Sequence, residues 1–203
     1  MLFRSVGILV IFTGVVSAAT IARGSTGYLQ FFLPLPAPVL IFLVLLALGS
    51  LAAWGVKESA TVVAVISAIE VFGLLLVIVV AGDAFLQLPA RWREFVPPAE
   101  WPVLSGVSIG AFLAFYAFIG YEDMVNMAEE THTPWRTLPW SILLSLLIAT
   151  LLYMAVAVVC VLAVAPAELA QTGAPLALVY RQATGNEPVL LSIISIVAVV
   201  NGA

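Results

Sequence analysis

Long apolar runs constrain this chain to a helical membrane protein. In the hydrocarbon of a bilayer, each backbone N–H and C=O must be paired within its own segment or in a closed barrel. The runs are continuous rather than alternating, which argues against barrel strands and predicts helices. A helix of about 20 residues crosses a bilayer. We therefore expect one transmembrane domain over residues 1–203, with spans at residues 6–22, 38–56, 60–82, 103–127 (broken), 138–165 and 188–203 (incomplete).

Composition supports this class and excludes others. Hydrophobic residues make up 64% of the chain and charged residues 9%, far from the values of a soluble domain. The sequence has no glycine-rich phosphate loop, nucleophile elbow, HExxH pattern or basic cluster. We expect a multi-pass all-α protein of the cell (plasma) membrane, in contact with the lipid bilayer. It is not expected to be an enzyme, to need a cofactor or to bind nucleic acid.

The N-terminal run has two interpretations. Arg4, the apolar stretch after it and the small residues 17–19 fit a cleaved secretory signal. Gly14, Ser17 and Ala18 have the spacing of a helix interface, and further apolar runs follow them. We adopt the second interpretation, a retained membrane helix.

The last run stops in mid-helix. It begins near Pro188 and reaches Ala203 without a basic flank, an aromatic anchor or a polar tail. The chain is therefore expected to be a fragment, the alternative being an unusually poor membrane anchor. Loop charges do not decide the orientation, because the basic residues are divided almost evenly between the two sides.

The metal-ligating residue types do not form a metal site. His132 lies near Glu129 and Glu130 in a polar turn, which is more typical of a solvated helix end. Cys160 stands alone in an apolar helix and is expected to be a packing residue. We expect no bound metal.

Glu70 is the outstanding polar residue of the chain, since it falls near the middle of the third apolar run. A carboxyl at that depth is costly and marks a functional group by default. Ser67 and Gly73, three residues to either side, place Glu70 on a stripe of small residues that is expected to face other helices. Its predicted role is to take up and release a proton, and the alternative is a hydrogen-bonded packing carboxyl.

A second polar signal lies in the fourth run. Residues 103–121 are already long enough to cross, so Glu122 and Asp123 fit a simple water boundary. Apolar character resumes at Met124, Val125, Met127 and Ala128, as it would after an unwound segment in mid-membrane. Periodicity does not separate these two interpretations.

Two connections carry recognisable patterns. Residues 83–101 combine prolines, charges and the tryptophans Trp92 and Trp101, which is typical of a loop at headgroup level. Residues 174–185, APLALVYRQATG, predict a short amphipathic helix.

The stretch from Phe115 to Pro139, FYAFIGYEDMVNMAEETHTPWRTLP, resembles a known family. It is similar to the sixth transmembrane helix and the following cytoplasmic loop of amino acid permeases of the amino acid-polyamine-organocation superfamily. The shared pattern is an F-I-G-aromatic-acid break, then A-E-E, then a loop with Pro, Arg and Pro, with Thr133 where the family commonly has Asn. The segments from Gly55 and from Ala22 resemble the family's fifth-helix turn and third-helix end.

The resemblance implies a transporter with an inverted repeat of five plus five helices and a substrate site between broken helices one and six. This chain would hold helices three to seven and the start of helix eight, and not helix one. Lys57 would lie inside, and the loop at residues 83–101 outside.

The resemblance also implies site residues. The backbone carbonyls of Tyr116, Ala117 and Ile119 would accept hydrogen bonds from a substrate ammonium group, beside Phe118, with Gly120 permitting the unwinding. The Tyr116 ring would wall the pocket, and Glu122 would gate it or carry a proton.

Glu70 falls near the position where some relatives bind sodium and others place an ionisable residue. The implied function is uptake of an amino acid or related amine by alternating access, with protons as the coupling ion. The alternative is a non-transporting truncated permease or a membrane assembly subunit.

Overall fold

The computed structural model describes residues 2–54, 60–116, 118, 131 and 133–202. Within these ranges every regular element is a helix, which confirms the expected all-α class. The helices are α1 (Leu2–Leu29), α2 (Ala37–Trp54), α3 (Ala60–Val80), α4 (Leu88–Arg91), α5 (Trp101–Tyr116), α6 (Pro134–Ala163), α7 (Pro166–Leu169), α8 (Pro175–Thr184) and α9 (Val189–Asn201).

Three of the described helices are long and apolar enough to cross a membrane. They are α1 from Val6, α3 from Thr61 and the whole of α6, with mean hydropathies of 1.9, 2.9 and 2.8. Shorter apolar stretches occupy α2, α5 and α9. Large apolar side chains such as Phe112 (75% exposed) and Val79 (76% exposed) cover the outer helix surfaces. Such surfaces suit lipid rather than water as the surrounding solvent.

Two helices extend beyond the apolar runs that predicted them. Helix α1 continues past Ala22 to Leu29. The polar side chains in this last part form hydrogen bonds with backbone carbonyls of the same helix. The Ser25 hydroxyl donates to the Ala22 carbonyl at 2.8 Å, and the Thr26 hydroxyl donates to the Arg23 carbonyl at 2.7 Å. Helix α6 begins at Pro134 rather than Leu138, and proline suits the first helical position.

The chain forms two compact units, of which the first contains Met1–Gly82 and Val159–Ala203. In this unit α1 packs against α2 and α9, and α3 packs against α8 and α9. The fully buried side chains of Val77, Val159 and Val179 lie in its core. The short helix α8 thus contacts both α3 and α9.

Helix α8 matches the predicted amphipathic helix. It begins at Pro175 and is closed by Gly185, whose φ of 71° is the left-handed conformation that glycine adopts without strain. The Gly185 N–H donates to the Arg181 carbonyl at 2.8 Å. Ala177 and Val179 form its buried face.

The second unit is Asp83–Val158. Its connection at the predicted interfacial loop contains α4 between two 3-10 turns, Gly82–Gln87 and Trp92–Phe95. Arg91 Nη2 lies 2.7 Å from Glu94 Oε2, and Arg91 Nε donates to Glu94 Oε1 at 2.8 Å. This bidentate ion pair fixes the turn between α4 and the second 3-10 segment.

Candidate functional site

Glu70 of α3 forms a polar cluster with α9. Its side chain is half-buried, and its Oε1 atom is buried without a hydrogen-bond partner among the described residues. Asn201 of α9 donates from Nδ2 to the Ser67 hydroxyl at 3.5 Å and lies within hydrogen-bonding reach of the Glu70 carboxyl. Two neighbouring helices therefore share these polar groups in an otherwise apolar interface.

Gly73 brings α3 and α9 close together at this cluster. A Cβ atom added to Gly73 would lie 2.8 Å from Ile194 Cγ2 and 3.3 Å from Ile194 Cδ1. Helices in membranes approach closely where such small residues meet a larger one. The expected contact of the Ser67–Glu70–Gly73 stripe with another helix is thus confirmed.

A cavity of about 280 Å³ opens beside this cluster. Residues of α1, α3, α8 and α9 line it, and its polar groups come from Ser25, Tyr28, Glu70 and Ser195. The remaining lining is mostly apolar, in the manner of a small-molecule site with few polar groups. No Lys, Arg or His occurs among the described residues that line it. The Glu70 carboxyl therefore has no basic side chain to pair with in this lining, and it can bind a proton or a small cation instead.

Tyr28 of α1 lines the same cavity and lies near α8 and α9. Its hydroxyl is within hydrogen-bonding reach of the Leu176 backbone N–H and the Ser195 side chain. The Ser195 hydroxyl itself donates to the Leu191 carbonyl at 2.8 Å. Leu176 lies in the first turn of α8, where backbone N–H groups have no partner within the helix. Tyr28 is thus placed to pair one of them.

The predicted substrate segment is described only in part. Helix α5 ends at Tyr116, and the Phe118 N–H then donates to the Phe115 carbonyl at 3.0 Å. The Phe118 ring stands edge-on to the Tyr153 ring of α6, with 5.7 Å between centroids. The other predicted members of this segment lie outside the described residues; they are Ala117, Ile119, Gly120 and Glu122.

The sequence model of the family described as amino acid permease matches residues 2–203. The chain belongs to the amino acid permease family. This is a family of transporters, and together with the apolar helices it makes the chain a multi-pass membrane protein. The family resemblance inferred from the Phe115–Pro139 stretch is confirmed.

Curated relatives cover several transported classes by name. The branched-chain amino acid permease BcaP of Bacillus subtilis (strain 168) is 34% identical over 145 residues, 71% of this chain and 30% of the relative. The vacuolar cationic amino acid transporter 4 of Arabidopsis thaliana is 35% identical over 121 residues, 59% of this chain and 20% of the relative. The methylthioribose transporter of Bacillus subtilis (strain 168) is 30% identical over 125 residues, 62% of this chain and 25% of the relative. These matches thus cover less than two thirds of each relative's length, and no solved structure matches significantly.

In this permease, sequence reasoning found Glu70 and its stripe but missed Tyr28, Ser195 and Asn201. A polar side chain inside an apolar helix is the signal that all three carry. Their partners lie on other helices, so only the folded chain identifies them. Among the described residues no group of three or more His, Cys, Asp and Glu side chains is arranged to hold a metal ion.

Proposed function

We propose that this permease moves an amino acid or related amine across the cell membrane by alternating access, with Glu70 carrying the coupled proton. The observation that supports the proposal is the placement of Glu70: a carboxyl at depth in α3, beside a cavity whose described lining contains no basic group. A buried charge must be paired, coordinated or neutralised. A proton that binds and leaves as the cavity changes access would supply that neutralisation.

Asn201 and Ser67 suit a carboxyl that changes protonation. An amide has both donors and an acceptor, so it pairs with a carboxylate through its N–H groups and with a carboxylic acid through its carbonyl. Asn201 lies within reach of the Glu70 carboxyl and also contacts Ser67. Protonation of Glu70 would thus alter the polar contacts between α3 and α9. Binding of the proton would in this way change how the two helices pack against each other.

The substrate is proposed to bind where α5 ends. The carbonyls of Tyr116, Ala117 and Ile119 would receive the ammonium group, with Gly120 allowing the chain to unwind and Phe118 held against Tyr153. Glu122 would lie beyond this point as a gate or a second proton-linked group. Backbone carbonyls freed at a helix end are suitable acceptors for a cationic head group.

The test is uptake into proteoliposomes that contain the purified chain. Radiolabelled leucine, arginine and alanine are offered with an inward proton gradient, and separately in exchange for internal amino acid. Glu70→Gln is expected to abolish concentrative uptake while exchange continues, because the amide cannot carry the proton. Glu94→Gln is the matched control, since it removes an exposed loop carboxyl and should leave uptake unchanged.

Two outcomes would contradict the proposal. A Glu70→Gln chain that concentrates amino acid as well as the original chain would refute proton coupling through Glu70. A chain that carries no amino acid under either condition, but copurifies with another membrane protein and restores its transport, would support the assembly-subunit alternative.

A further inference from the structure

A second cavity, of about 180 Å³, lies at the end of α1. The loop before α8, α8 itself and the start of α9 complete its wall. It shares no lining residue with the Glu70 cavity. We call it the Arg181 cavity after its basic residue, and it is a separate site in the same unit of the chain.

The Arg181 cavity contains the oppositely charged side chains of Arg181 and Glu187, which do not use all of their hydrogen-bonding groups on each other. Arg181 Nη2 lies 3.8 Å from Glu187 Oε1, and the two side chains are 64% and 60% exposed. A charge-assisted hydrogen bond spans about 2.7–2.9 Å, so this pair is spaced too widely for one. The pair formed by Arg91 and Glu94 shows the contrast, with contacts of 2.7 and 2.8 Å. Arg181 and Glu187 thus keep donors and acceptors for a third partner.

The wall of the Arg181 cavity also contains an unpaired hydroxyl. Ser192 is 0% exposed, and its Oγ atom has no hydrogen-bond partner among the described residues. A buried hydroxyl without a partner costs free energy, so Ser192 calls for a polar partner such as a bound water. Phe31 and Leu178 supply an apolar wall on the same cavity. Charges, a hydroxyl and an apolar surface are therefore combined around one small volume.

We propose that the Arg181 cavity binds a small zwitterionic amino acid, with its carboxylate at Arg181 and its ammonium group at Glu187. An anion alone would be repelled by Glu187, and a cation alone by Arg181, whereas a dipolar ligand satisfies both. The cavity volume of about 180 Å³ leaves room for a small amino acid such as alanine.

This inference rests on the proposed function in taking amino acids as the cargo. It adds a second binding site for that cargo, separate from the Glu70 cavity. A cavity at the end of α1 is reached from the side of the membrane on which the loop before α8 lies.

The test is an NMR titration of the purified chain labelled with 15N-arginine, which gives a sparse side-chain spectrum because the chain has only 7 Lys and Arg residues in all. Arg181→Gln identifies the Arg181 signal, and the Arg91 signal is the internal control. L-alanine is expected to shift the Arg181 signal and leave the Arg91 signal unchanged. Glu187→Gln should weaken alanine binding about tenfold, the effect of losing one charge-assisted contact.

Acetate separates a zwitterion site from a simple anion site. It should bind the original chain more weakly than alanine, and should bind Glu187→Gln more tightly than the original chain, because the repelling carboxylate is gone. Acetate that binds the original chain as well as alanine would overturn the inference. So would a Glu187→Gln chain with unchanged alanine affinity, or an Arg181 signal that glycine, alanine and serine all fail to shift.

The same titration of Glu70→Gln distinguishes this inference from the proposed function. The Arg181 signal should respond to alanine as in the original chain, since Glu70 does not line this cavity. Loss of proton-coupled uptake and loss of the Arg181 response are thus independent results.

Discussion

Gly27 of α1 and Gly173 of the loop before α8 touch backbone to backbone. A Cβ atom added to Gly27 would overlap the Gly173 carbonyl, and one added to Gly173 would lie 3.2 Å from the Gly27 Cα. Gly27 has no room for a side chain, whereas a side chain at Gly173 would require a small shift of its neighbour. The loop is therefore held against α1 by a close contact that depends on Gly27.

Gly27→Ala is expected to destabilise the chain by about 1–3 kcal/mol, the usual cost of overpacking where backbone must move. Thermal unfolding in detergent measures it. Gly14→Ala is the matched control on the same helix, because nothing lies within 4 Å of an added Cβ there. The control should gain up to about 1 kcal/mol from helix propensity. Equal stability of the two variants would show that the glycine contact is not required.

Gly73 and Ile194 should behave as a coupled pair. Gly73→Ala places a methyl group 2.8 Å from Ile194 Cγ2 and should cost about 1–3 kcal/mol. In an Ile194→Ala background the same substitution should cost much less, because the opposing atoms are gone. A double-mutant cycle from unfolding measurements reports this coupling. Additive effects of the two substitutions would contradict the close approach of α3 and α9.

Tyr28→Phe should loosen the first turn of α8. The substitution removes the hydroxyl that faces the Leu176 N–H and Ser195. Leaving a buried group unpaired costs about 1–3 kcal/mol. Hydrogen exchange at the Leu176 amide should accelerate in Tyr28→Phe and stay unchanged in the control Tyr180→Phe. An unchanged Leu176 rate in Tyr28→Phe would rule out this pairing.

Local patterns made parts of this structure predictable. Helix α8 could be predicted from the sequence because Pro175 and Gly185 mark its ends. The stripe around Glu70 could be predicted because Ser67 and Gly73 are spaced so that they lie on the same helix face. The contacts of Gly27 with Gly173 and of Ser67 with Asn201 were not. Each joins residues far apart in the chain, and an apolar membrane helix carries little periodicity to show which face meets which neighbour.

The loop ion pair predicts a titration with a definite sign. The hydrogen bond from Arg91 lowers the pKa of Glu94 below its ordinary value of 4.5. A carboxyl with a lower pKa in the folded chain stabilises the fold above its unfolded pKa, and that contribution is lost as the pH falls through the folded pKa. NMR of the Glu94 carboxyl should give a midpoint below 4.5, and Arg91→Gln should raise it. A midpoint that Arg91→Gln does not move would disprove the pairing.

The Glu70 cavity has a consequence for the electrical output of the proposed cycle. One carboxylate and no basic side chain line it among the described residues, so it balances one positive charge at a time. In the proposed cycle, a monovalent cation that enters would take the place of the proton on Glu70. Glu70 would then carry at most one proton per turnover, and the gradient of a single proton would drive each transport step.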